Sequence, residues 1–140
     1  MKKLFVFIFS VFILSGLDSS AQCNAETLSS QCIPKLGSGF NFLKSYKVEK
    51  GGKEYVEYSY VFTKGTQYMI NICAPDQNSD GIVVTLYDSK RNKVASNKVD
   101  DNQYIAAIAY PCNATGIYYL QYTFDDESSY CGGSALGFKR

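Results

Sequence analysis

The stretch "EYVEYSYVFTKGTQYMINIC" (54–73) decides the fold class. From Glu54 to Thr63 the side chains alternate. Val56, Tyr58, Tyr60 and Phe62 point one way, and Glu57, Ser59, Val61 and Thr63 the other, the period of two that marks a half-buried strand. "KGT" (64–66) is a turn, and "QYMINIC" (67–73) is a second strand with Tyr68, Ile70 and Ile72 inward. Working outward, the same grammar repeats. Runs rich in Tyr, Val, Ile, Phe and Thr are broken by Gly, Asn, Asp and Ser every 8–12 residues or so, which reads as an all-β sandwich. The runs are 39–48, 54–63, 67–73, 82–88, 94–99, 102–110, 116–124 and 130–140. They predict an antiparallel, jelly-roll-like sandwich of seven to eight strands over residues 39–140. The segment 94–99 is a short edge strand guarded by Lys93 and Lys98. The inner face of 102–110 is Tyr104, Ala106, Ile108 and Tyr110.

The first segment has a different composition. Lys2 and Lys3 precede the uncharged apolar run "LFVFIFSVFILSGL" (4–17), and Ser19 and Ala21 are the small residues of a cleavage site. This reads as a bacterial-type signal peptide, residues 1–21, cut after Ala21, which sends the chain to the periplasm, the cell surface or the medium. The run is shorter than the ~20 residues of a full membrane span. Removing Lys2, Lys3 and Asp18 from 14 basic and 13 acidic side chains leaves 12 of each. A balanced charge argues against nucleic acid or an acidic membrane as partner. Residues 22–38 read as a polar lead-in.

Five cysteines follow the leader: Cys23, Cys32, Cys73, Cys112 and Cys131. Export makes disulfides the expected use. The chain has no histidine and no CxxC pair, which argues against zinc. If 82–88 lies antiparallel to 116–124, Cys131 approaches Cys73, and Cys112 looks to Cys32 or Cys23. The disulfide candidates are thus Cys32, Cys73, Cys112 and Cys131. Cys23 is alternatively the lipidated first residue of an envelope lipoprotein.

In 116–124 the inward set is Tyr118, Leu120, Tyr122 and Phe124, so most of this aromatic run is packing. Tyr119, with Tyr55 and Tyr87, faces outward, and these three are the candidate ligand contacts. "DQNSDG" (76–81) places Asp76, Asn78 and Asp80 as the first half of a calcium loop, without the closing bidentate glutamate. A calcium site there needs further carboxylates, from Asp100–Asp101 or from Asp125–Asp126–Glu127. No histidine means no Ser–His or Cys–His pair, and no nucleotide or hydrolase motif occurs, so the chain reads as non-catalytic.

The strand order "YSYVFTKGTQYMINI", "DGIVVTLYDSKRNKVASN", "TGIYYLQYTF", "GFKR" resembles the bacterial pre-peptidase C-terminal domain over about 58–140. The matching features are Phe62, Gly65 and Tyr68, then Leu86-Tyr87-Asp88, then Gly116, Tyr118 and Tyr119. The resemblance implies a jelly-roll-like sandwich that serves as an accessory domain for substrate or surface attachment, with calcium bound by some members. Two functions follow from the whole reading. One is a non-catalytic binding or adhesion module acting on a protein or glycan surface. The other is a structural envelope lipoprotein held at Cys23.

Overall fold

The structure, a computed structural model, describes residues 23–75, 80–125 and 131–140. It is an all-β sandwich. The described residues form ten strands rather than seven to eight: β1 (Asn41–Glu49), β2 (Tyr55–Phe62), β3 (Gln67–Cys73), β4 (Ile82–Tyr87), β5 (Lys93–Ser96), β6 (Lys98–Asp100), β7 (Gln103–Tyr104), β8 (Ala107–Pro111), β9 (Gly116–Phe124) and β10 (Cys131–Lys139). Eight build two four-stranded antiparallel sheets, in the orders β1-β10-β3-β8 and β2-β9-β4-β5, and β6 pairs only with β7. The tight turn between β2 and β3 therefore carries the chain from one sheet to the other. Gly65 supplies its left-handed residue at φ 85°. Gly65 N–H donates to the Cys112 carbonyl at 2.9 Å, which ties the corner to the end of β8.

The alternation in the sequence sets which faces meet. Phe62, Ile70, Ile82, Val84, Leu86, Leu120, Tyr122 and Leu136 are fully buried between the sheets. Each such side chain contributes about 1.5–3 kcal/mol on burial. Phe62 stacks between Tyr68, 3.8 Å between ring centres, and Tyr118, 4.7 Å. The buried Tyr122 hydroxyl donates to Ser134 Oγ at 2.7 Å, and burial holds its phenol far above the ordinary tyrosine range. The expected pairing of 82–88 with 116–124 is present, from Ile82 against Phe124 to Tyr87 against Tyr119.

Two stretches depart from expectation. Residues 94–99 and 102–110 are not single strands. Asn97 interrupts the first: its side chain, wholly buried, accepts from Val84 N–H at 2.7 Å and donates to the Ile82 carbonyl at 2.9 Å. A side-chain amide thus continues the ladder along β4 while the backbone turns away into the β6–β7 hairpin. Tyr104 consequently lies outside the core and Ala106 is exposed. Ile108 and Tyr110 keep their inward positions.

The expected polar lead-in is instead structured. Helix α1 (Ala25–Cys32) is capped by Asn24, whose side chain accepts from Thr27 N–H at 3.1 Å, with Glu26 in the first turn. Its buried positions are Ala25, Leu28, Ser29 and Cys32, one helical stripe. That stripe lies on the outer face of the β1-β10-β3-β8 sheet. A Cβ on Gly133 would overlap the backbone of Leu28 and Ser29, so only glycine admits the helix this close. The buried Asn71 joins the layers: Nδ2 donates to the Cys32 carbonyl and Oδ1 accepts from Ala135 N–H, both at 2.8 Å.

The helix also overturns the expected disulfides. Cys23 bonds to Cys131 and Cys32 to Cys73, while Cys112 is free and buried. Cys131 and Cys73 do lie near each other, with Gly133 opposite Cys73 across β10 and β3, but α1 brings a separate cysteine to each. The Cys23 sulfur, which a lipid thioether would need, is bonded to Cys131 in this structure. Residues 1–21, with the cleavage site expected there, lie outside the described residues. Among the described residues no helix is long and apolar enough to cross a membrane.

Candidate functional site

With α1 over one sheet, the β2-β9-β4-β5 sheet leaves most of its outer face open, although Val83 at one end of it is buried. The register arranges that face in rows. Tyr55, Thr123 and Val83 form one, Glu57, Gln121 and Thr85 the next, then Ser59, Tyr119 and Tyr87, then Val61 and Ile117. Tyr87 and Tyr119 are thus direct cross-strand neighbours. Tyr55 shares their face but stands two rows away, roughly 13 Å along the strand.

A residue not singled out in the sequence completes the group. Arg91 lies over the Tyr119 ring, its guanidinium carbon 3.6 Å from the ring centre. Its Nη1 donates to Glu57 Oε1 at 2.7 Å, and Gln121 Nε2 reaches the other Glu57 oxygen at 3.4 Å. Hydrogen bonding to Glu57 pushes the guanidinium pKa upward. The result is a cation held between an aromatic face and a carboxylate.

The turn between β4 and β5 is built to hold Arg91 there. The Asp88 carboxylate accepts from Lys90 N–H and Asn92 N–H, both at 2.9 Å, and these bonds, that of Asn92 first, draw its pKa below the usual range. Arg91 itself is left-handed at φ 65°. Ser89 Oγ donates to the Ile117 carbonyl at 2.8 Å and pins the turn to β9. A Cβ on Gly116 would come 2.5 Å from that oxygen, which explains the glycine there. "DSKRN" (88–92) is therefore more than a polar loop. The signal available in the sequence was an Asp whose side chain can close a turn onto backbone N–H groups two and four residues on.

The calcium expectation concerns the other end of the sandwich. Asp76 and Asn78, with Asp126 and Glu127, lie outside the described residues. Asp80 lines a shallow pocket with Lys98, Asp101, Tyr104 and Asp125. Lys98 Nζ donates to Asp125 Oδ2 at 2.5 Å, and the Tyr104 hydroxyl donates to the same oxygen at 2.9 Å. The lysine, first, and then the phenol lower the Asp125 pKa. A positive charge thus already sits against the carboxylate. Among the described residues no three His, Cys, Asp or Glu side chains group as a metal site.

No protein-family model matches the chain. No curated protein matches it either. Among solved structures, a periplasmic inhibitor of g-type lysozyme, PliG from Aeromonas hydrophila, superposes with a TM-score of 0.47. It shares 13% identity and covers 74% of this chain and 89% of its own.

Proposed function

We propose that this protein is an exported, non-catalytic binding module that grips a partner protein with the open face of the β2-β9-β4-β5 sheet. The observation that carries the reading is Arg91 clamped between Tyr119 and Glu57 on a solvated sheet face. Arg and Tyr are the side chains that most often dominate protein interfaces, and they do so best when held rigid before binding. Around them the face offers Tyr55, Tyr87, Val61 and Ile117 as apolar area and Gln121 and Ser59 as polar rim. Two disulfides fit an exported location. The chain has no histidine to serve as a general base.

A protein fits this face better than a glycan. Sugars stack on open aromatic rings, and one face of Tyr119 is already covered by Arg91. The test uses the processed protein as bait against the exported proteins of its own cell. Capture of a partner by wild type and by Lys139→Ala, with loss in Arg91→Ala and Tyr119→Ala, supports the reading. Capture undiminished by Arg91→Ala refutes the site. Glycan-array binding that depends on Tyr119 refutes the protein partner.

A further inference from the structure

The two four-stranded sheets present four edges, and three of them are guarded. β5 is only four residues long and begins at Lys93. β8 has five and ends in Pro111, which has no N–H to offer. β1 breaks register between Phe42 and Lys44, exposes Lys44 and Lys47, and has its Lys47 carbonyl taken by the Tyr58 hydroxyl at 2.5 Å. These are the devices by which proteins keep edges from pairing.

β2 has none of them. It runs eight residues, pairs with β9 without a break, and contains no proline. Its one charged side chain, Glu57, is drawn across the sheet to Arg91. Among the described residues only β9 bonds to its backbone, so alternate N–H and C=O groups along the other edge are open to a further strand.

We propose that this edge pairs antiparallel with β2 of a second copy, about a two-fold axis at Tyr58, joining two open sheets into one of eight strands. The side chains along β2 are self-complementary in that register. A two-fold axis perpendicular to the sheet keeps outward residues outward, so the axis passes through a residue and not between two. With the axis at Tyr58, Tyr55 meets Val61 of the second copy. These are the exposed apolar ends of the strand, at 46% and 56% exposure, and Ile117 beside Val61 extends the strip. Glu57 meets Ser59. An axis at Glu57 would set like charges face to face, and one at Ser59 would set Val61 against Glu57. Just beyond the strand ends, exposed Glu54 falls diagonal to Lys64 of the second copy, opposite in charge and within reach of long side chains. An edge pairing of this length lies at the small end of stable interfaces, so the dimer forms with rising concentration.

Sedimentation velocity of the processed protein over a concentration series tests this. The expected result is a species of twice the chain mass at the upper end. Val61→Lys and Tyr55→Glu alter exposed side chains and leave the melting temperature unchanged. Each removes two symmetry-related apolar pairs and weakens the dimer by about tenfold. Combining them sets lysine opposite glutamate across the axis and restores the affinity. A monomer at every concentration overturns the proposal. So does a dimer that neither substitution weakens, or one that the double substitution fails to restore. Tyr119→Ala removes a partner-face side chain but keeps the Arg91–Glu57 ion pair, so it leaves the dimer intact, and failure of the partner-binding face and failure of this edge are read separately.

Discussion

Asn97→Ala is the sharpest test of how this sandwich is held. The Asn97 amide is wholly buried and, among the described residues, is the one partner of Val84 N–H and the Ile82 carbonyl on that side of β4. Alanine removes both bonds at a position with no solvent exposure, which leaves both backbone groups without their side-chain partner. Each orphaned buried group costs about 1–3 kcal/mol, so the expected loss is about 3 kcal/mol. A domain of this size shifts by roughly 4 °C per kcal/mol, so the melting temperature should fall by about 12 °C. Thermal melting by circular dichroism, with urea unfolding alongside, measures it. Asn97→Asp is a second arm. It keeps an acceptor for Val84 N–H, loses the donor to Ile82 and buries a carboxyl, so its stability should improve as the pH falls and the carboxyl is protonated. A loss below about 0.5 kcal/mol for Asn97→Ala would refute the reasoning, since that is the ordinary range for a surface substitution.

Three further outcomes are expected. Gly133→Ala forces α1 off β10 and should lower the melting temperature well beyond the effect of Gly→Ala at an exposed site; equal effects would show that the helix is not seated there. Peptide mapping without reduction should join Cys23 to Cys131 and Cys32 to Cys73, and Cys112 should be alkylated only after denaturation. The Asp125 pKa is lowered by Lys98, so that pair stabilises the fold above the ordinary carboxylate range near pH 4 and loses its contribution as pH falls through the lowered value. Lys98→Ala should flatten that part of the acid-unfolding curve, by a small amount because both groups are partly exposed.

Strand existence, strand faces and the aromatic core were legible in the sequence because each depends on neighbours two residues away. The alternation in 54–63 and 116–124 assigned Tyr58, Tyr118 and Tyr122 inward and Tyr55 and Tyr119 outward, and the structure agrees. Helix α1 was also written locally, in Asn24, Glu26 and the stripe Ala25, Leu28, Ser29 and Cys32, but its eight residues are too few for a persistent period to stand out. Other features belong to the tertiary structure alone. Which cysteines meet depends on α1 crossing one sheet, which in turn depends on a glycine more than a hundred residues away. That Arg91 lies on Tyr119 depends on β4 and β9 being neighbours, a pairing made between segments distant in the chain. Local alternation tells each strand which side is in. Only the closing of the two sheets brings distant segments within the few ångströms over which a disulfide, a hydrogen bond or a cation on a ring can form.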